Sequence, residues 1–199
     1  MIMLTEFKKY IEKHNLIEKG DKILLALSGG VDSMVLAKLL LAVSRQLSAN
    51  SQLFFAHCNF HLRGEDSNRD ERFVTEFAKD NGIELFVKHF DTEAYAKEKS
   101  LSIEMAAREL RYAWFEELKN IHNINKVALA HHGDDQIETF FINFLRGSGI
   151  KGLKGMKAQN GFYIRPLLWS NRNQIETYAK ENGIQWVEDY TNNETIYLR

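Results

Sequence analysis

LALSGGVDSMVL, residues 25–36, decides how the rest of this sequence is read. The apolar run KILLAL (22–27) stops at Ser28, two glycines follow, and VDSMVLAKLLLAVSR (31–45) resumes with helical periodicity. A near-continuous apolar run suits a parallel strand buried on both faces. Gly29 and Gly30 let the backbone approach an anion closely, so that successive N–H groups at a helix N-terminus form a nest. Ser28 and Ser33 add hydroxyl donors. Asp32 is the anomaly, because a carboxylate beside bare phosphates is repelled by roughly 4 kcal/mol per charge pair at about 4 Å in a surface-like dielectric. A magnesium ion between carboxylate and phosphates reverses that sign. Asp32 therefore suggests a metal–nucleotide complex, with an acidic residue favoured by the helix dipole as the plainer alternative. A Walker loop would need a lysine here and a dinucleotide fingerprint a third glycine. Neither is present.

Outward from this stretch, SQLFFAHCN (51–59), IELFVKHF (83–90) and KVALA (126–130) read as strands. EDSNRDERFVTEFAKDNG (65–82), SLSIEMAARELRYAWFEELKNIH (100–122) and DDQIETFFINFLRG (134–147) read as helices, with Gly82 and Gly147 as stops. FYIRPLL (162–168) adds a fifth strand, holding the single proline, Pro166. Ser170 is placed to cap a helix over NRNQIETYAKENG (171–183), which Gly183 stops. Alternating strands and helices predict an α/β fold with a doubly wound parallel sheet of five strands and right-handed crossovers. The stretch GSGIKGLKGMKAQNG (147–161) reads as a mobile loop. A single domain is expected, with 148–199 as a trailing segment folded over its edge.

The composition bounds the function. With 199 residues, 44% hydrophobic and 27% charged, the chain suits one well-buried soluble domain. The amphipathic, charged opening lacks the apolar core of a secretory signal. No window approaches the roughly 20 apolar residues that span a bilayer, so no membrane partner and a cytoplasmic location are expected. The one cysteine, Cys58, excludes an internal disulfide and any CxxC pair. A net charge of −1 does not announce a nucleic-acid binder.

Further stretches carry chemistry. AHCNFHLRG (56–64) follows the second strand with His57 and His61, which in isolation are more often structural or surface histidines than functional ones. EMAARELRY (104–112) sets Glu104, Arg108 and Arg111 at helical spacing, where surface salt bridging is the plain alternative. AHHGDDQIETFFINFLRGSGIKGLKGM (130–156) delivers His131 and His132 at a strand's end. Asp135 and Glu138 then share a helix face, and Asp134 is placed to act as a cap. The spacing matches no zinc hydrolase motif. RPLL (165–168) and WVEDYTN (186–192) add Arg165, Glu188 and Asp189.

The SGGVDS sextet resembles the loop of the PP-loop ATPases, which have the adenine nucleotide α-hydrolase-like fold, cleave ATP between its α- and β-phosphates and adenylate an oxygen. All the stretches together, over Lys22 to Arg199, resemble the tRNA(Ile)-lysidine synthase family. That resemblance implies ATP and magnesium, free L-lysine as amine, and as partner the isoleucine tRNA with a CAU anticodon. Its wobble cytidine would be adenylated on the carbonyl oxygen, and lysine would displace AMP to give lysidine. It implies a nucleotide site of Ala26, Ser28, Gly29, Gly30, Val31, Asp32, Ser33, His57, Arg108 and His132, with magnesium held by Asp32 through the phosphates. It also implies catalytic roles for Asp32, Asp135, Glu138, Arg108 and Arg111. Asp135 and Glu138 suit the ammonium groups of lysine, and Arg108 or Arg111 its carboxylate. Either acid can take the amine's proton. Family members continue into domains that grip tRNA, whereas this chain ends at NNETIYLR, so a catalytic portion is expected. Arg146, Lys151, Lys154 and Lys157 form the best RNA-binding cluster. The rival classes are a tRNA thiolase, which shares the loop, and a non-catalytic ATP-binding module. Oligomeric state, a homodimer included, stays open.

Overall fold

In β1 (Lys22–Ala26) the side chains alternate between two cores: Ile23 and Leu25 pack into one, Leu24 into the other. That is the period of two of a strand covered on both faces, and it explains the unbroken apolar run. The computed structural model describes residues 2–44, 52–145 and 155–188, and of 142–145 the backbone alone.

The elements alternate as expected. Helix α1 (Ile2–Lys13) precedes β1, and α2 (Val31–Ser44), β2 (Gln52–Asn59), α3 (Glu65–Asn81) and β3 (Glu84–His89) follow it. Next come α4 (Thr92–Lys99), α5 (Ile103–His122), β4 (Lys126–Ala128) and α6 (Gly133–Leu145). A hairpin of β5 (Gln159–Asn160) and β6 (Tyr163–Ile164) then leads to α7 (Arg172–Glu181). The sheet order is β3-β2-β1-β4-β6-β5, parallel throughout except for β5 against β6. Residues of α1, α2, α3 and α7, such as Phe7, Leu36, Val74 and Ile175, close one face. Trp114, Phe115 and Leu118 of α5 close the other. Helix α2 is buried nearly all round, as a helix enclosed by its neighbours must be. From β1 the chain runs one way to β2 and the other way to β4. The strand order therefore reverses between β1 and β4, which opens a crevice beyond their carboxyl ends.

Four expectations need correction. The sheet has six strands, not five, because Gln159–Asn160 pairs antiparallel with β6 across Gly161 at φ +59°. Those two residues fall in the stretch read as a loop; positions 146–154 lie outside the described residues. Of FYIRPLL, only Tyr163 and Ile164 pair in a strand. The long helix begins at Ile103, capped by Ser102, and a separate helix, α4, precedes it, capped by Asp91 and closed by Ser100 at φ +54°. Helix α7 is capped by Asn171 and not Ser170, through a reciprocal capping box with Gln174. Ser170 is buried instead, its hydroxyl donating to the Leu167 carbonyl at 2.7 Å.

Candidate active site

The loop between β1 and α2 is built around Ser33. Its Oγ accepts from the N–H groups of Ser28 and Gly29, both at 3.2 Å, and donates to the Gly30 carbonyl at 2.9 Å. Gly30 N–H reaches Ser28 Oγ at 3.3 Å. The N–H groups expected to face an anion are thus engaged within the loop, and the Ser33 hydroxyl organises it. Gly29 sits at φ +93°, and a Cβ there would meet Val74, Phe73 and Val187 side chains. Its carbonyl accepts from Val187 N–H at 2.9 Å, so the trailing segment ties the loop down. Val31 is buried as the first residue of α2.

Asp32 leads a charged cluster. Its Oδ2 accepts from Arg172 Nη1 at 2.8 Å, and its Oδ1 lies 3.6 Å from His132 Nε2. Oδ1 is buried and has no hydrogen-bond partner among the described residues. Burial pushes the Asp32 carboxyl above the usual carboxylate range; Arg172 and His132 oppose that shift, and Asp135 adds to it. His132, itself buried, is ringed by acids, with Asp135 Oδ2 at 3.7 Å and Asp134 Oδ2 at 3.8 Å. Asp135 also turns back over the first turn of α6 to accept from His132 N–H at 2.8 Å. Asp134 caps a neighbouring helix, accepting from Arg172 N–H of α7 at 2.8 Å. Gly133 N–H completes the junction by donating to Ser170 O at 2.7 Å.

Beyond the loop lies a cavity of about 450 Å³, lined by Ala26, Ser28, Asp32, Ser33, His57, Cys58, Arg111, His131 and Asp135 among others. His57 Nδ1 is 2.9 Å from the Leu27 carbonyl, which can only accept, so Nδ1 carries the proton and Nε2 is a bare acceptor. Burial lowers the His57 pKa. Arg165 Nε donates to His131 Nδ1 at 3.3 Å, which leaves the His131 proton on Nε2. Burial, with Arg165 nearby, pushes His131 down to about 4, so at neutral pH it is uncharged, its Nδ1 taken by Arg165 and its Nε2–H placed to donate a hydrogen bond. Arg111 lies over the Phe60 ring at 5.3 Å, beside Cys58, whose thiol burial pushes up to about 12.

Asp32, Ser28, Ser33, Ala26, His57, Arg111 and Asp135 therefore meet on one cavity, with His132 behind the two acids. Arg108 does not line it. It is exposed and stacks on Tyr112 at 4.9 Å. Glu138 is exposed one turn further along α6 and also stands outside the lining. Glu104 is exposed, and His61, which pairs with His89 at 2.8 Å, does not line the cavity although Phe60 and Leu62 on either side of it do. Glu188 is exposed; Asp189, Arg146, Lys151 and Lys154 lie outside the described residues. Arg172 went unnoticed in the sequence, since it stands 140 positions from Asp32 and no local spacing links them.

Among the described residues no three His, Cys, Asp or Glu side chains converge to hold a metal ion. One unpartnered carboxylate oxygen fits magnesium, which takes one or two carboxylates and draws its other ligands from phosphates and water. No described helix is long and apolar enough to cross a membrane.

A family model described as a PP-loop domain matches residues 2–199. The chain is 50% identical over 191 residues to a tRNA(Ile)-lysidine synthase of Bacteroides thetaiotaomicron, covering 96% of this chain and 43% of the relative. It is 44% identical to that of Parabacteroides distasonis, covering 99% and 44%, and 45% identical to that of Thermosipho africanus, covering 100% and 46%. The chain thus spans under half the length of these relatives. Among solved structures, a U34-tRNA thiolase from Methanococcus maripaludis superposes with a TM-score of 0.75 at 20% identity, covering 92% of this chain and 65% of its own. An NAD+ synthetase from Burkholderia pseudomallei gives 0.55 at 15%, covering 97% and 68%. At those identities the likeness is one of fold.

Proposed function

The chain belongs to the PP-loop domain family, and we propose that it binds ATP with magnesium in the crevice beyond β1 and adenylates the wobble cytidine of a CAU-anticodon isoleucine tRNA. Free L-lysine then attacks the activated ring carbon and AMP leaves, so that lysidine is formed. The observation that carries this reading is the cavity itself. An acid-flanked nucleotide loop stands at one part of it, and Asp135 with Arg111 stands beside that loop. The names of the relatives at 44–50% identity supply the substrate.

Each group has a task within this reading. The α-phosphorus is attacked by the cytidine carbonyl oxygen, and pyrophosphate departs along the loop at the N-terminus of α2. Asp32, through its unpartnered oxygen, would hold magnesium, which when bound offsets phosphate charge and orients the departing pyrophosphate. His57 Nε2 accepts a hydrogen bond from substrate in the cavity, and His131 Nε2–H donates one. Arg111 offers a fork for the carboxylate of lysine. Lysine's attacking amine arrives protonated and must lose that proton. Asp135, which lines the cavity, is better placed than Glu138 to hold the ammonium and take it. Sulfur transfer is disfavoured, since the chain has one cysteine and its thiol is held protonated by burial.

Pyrophosphate release, measured with and without tRNA and lysine, tests the proposal. Release that requires tRNA, with radiolabelled lysine entering the RNA, is expected. Asp135→Asn should cut lysine incorporation by roughly 30- to 1000-fold, about 2–4 kcal/mol, the lower part of the range for removing one partner of a hydrogen-bonded charge pair, since Asp135 is 34% exposed. Equal incorporation of ornithine or arginine would refute a lysine-shaped site.

A further inference from the structure

The loop leaves an electrostatic deficit. Its Ser28, Gly29 and Gly30 N–H groups are engaged by serine hydroxyls, and its first-turn side chain, Asp32, is an acid. A triphosphate carries more negative charge than a single divalent cation offsets, so a further cation is needed at the loop's mouth. Arg172 stands there. Its Nη1 donates to Asp32 at 2.8 Å and its Nε to Glu176 at 2.7 Å, while Nη2 has no hydrogen bond among the described residues. Its main chain is fixed at the first position of α7 by Asp134 and by the Asn171–Gln174 capping box. The side chain is 43% exposed, so it can turn without unpacking the core.

We propose that Arg172 is a phosphate-binding residue of the nucleotide site. On entry of the metal–nucleotide complex its guanidinium exchanges Asp32 for the β- and γ-phosphate oxygens. This rests on the nucleotide reading above and deepens it. A planar fork with three further N–H bonds suits phosphate oxygens, and its charge is permanent at any working pH. The exchange leaves neither partner unpaired: Asp32 turns to the cation, and the guanidinium to the phosphates. In the absence of nucleotide the Arg172–Asp32 pair keeps the acid from standing uncompensated beside Asp135.

Calorimetric titration of ATP, pyrophosphate and AMP, each with magnesium, into the wild-type chain and Arg172→Ala tests the exchange. The variant should lose at least about ten-fold in affinity for ATP and pyrophosphate, and change by less than about two-fold for AMP, which lacks those phosphates. Arg172→Gln, whose amide stands where Nε donates to Glu176 and so keeps that bond within α7 while removing the guanidinium, should show the same split. Equal losses for ATP and AMP would make Arg172 a merely structural tie and overturn the inference. So would unchanged or tighter ATP binding, which would make it only a competitor for Asp32. If wild-type protein binds neither ATP nor pyrophosphate, the nucleotide reading itself falls and takes this inference with it.

Discussion

Gly133→Ala probes the junction on which the site hangs. Gly133 opens α6 between His132 and Asp134, and a Cβ built there would come within 2.9 Å of the Ser170 carbonyl oxygen. Real Cβ atoms essentially never approach so closely, and the obstacle is backbone, which cannot rotate away. The same oxygen accepts the Gly133 N–H at 2.7 Å, so the methyl group and the hydrogen bond compete for one space. Relief by separation loses a hydrogen bond worth about 1 kcal/mol. Overpacking adds about 1–3 kcal/mol. The helix-propensity gain of alanine returns only a few tenths of a kcal/mol at a first-turn position, leaving a net cost of about 2–4 kcal/mol. For a chain of this size each kcal/mol lowers Tm by about 2–4 °C, so a drop of about 4–16 °C is expected. Differential scanning calorimetry measures it. Nucleotide affinity should fall as well, because separating Gly133 from Ser170 also pulls Asp134 from the Arg172 N–H and His132 from its bridge to Leu167. A Tm within about 1 °C of wild type, with unchanged ATP binding, would refute the reasoning.

Two predictions concern charge. Asp32→Asn should abolish magnesium-dependent ATP binding while leaving Tm equal or slightly higher. The folded state raises the Asp32 pKa, so its ionised form costs stability above the ordinary carboxylate range, and the amide removes that cost; a large fall in Tm would show that the Arg172 pair outweighs burial. For His131 the sign is opposite. Its folded value of about 4 lies below the unfolded one, so its contribution is complete above the unfolded pKa and is lost as pH falls toward 4. Urea denaturation at pH 7.5, 6 and 5 should show stability falling with pH by up to about 1.2 kcal/mol per pH unit, about 2 kcal/mol over that range, and His131→Asn should flatten it. An unaltered slope in that variant would place the titration elsewhere.

The frame of the fold was legible because its signals are local. Ile23 to Leu25 announce a strand covered twice, and the Ser28–Gly30 break is short enough to be only a turn into a helix. Helix α4 was missed because DTEAYAKEK is polar almost all round, with only Thr92 and Ala96 buried, so no apolar stripe marks it. Strand β5 is invisible in Gln159 and Asn160, whose pairing is imposed by β6. The cap of α7 was readable: Gln174 stands three residues after Asn171, and a reciprocal box favours that residue over Ser170. Within the site, Asp135 and Glu138 share a helix face by spacing, yet the first-turn position bends Asp135 back toward His132 N–H and leaves Glu138 outside. Helical spacing alone does not report that bend. The Arg172 pair and the Val187 tie to Gly29 are contacts between distant parts of the chain, which no window on the sequence can contain.

The distance along the chain between Asp32 and Arg172 also has a meaning in time. A ribosome adding about 5–20 residues per second needs roughly 7–28 s to make the 140 positions that separate them. For that interval β1, its glycine turn and α2 exist without Arg172, and without the Val187 N–H that later fixes the Gly29 carbonyl. The nascent domain can collapse around the α2 side of its sheet early, since Leu36, Leu39 and Leu40 meet Phe7 and Phe55 from neighbouring segments. On the role proposed for Arg172, the loop becomes competent for a charged ligand only once α7 has docked. Slow codons placed before Arg172 would therefore prolong a stage that is compact but has an unfinished phosphate loop. Translation order thus separates acquiring a core from acquiring a nucleotide site.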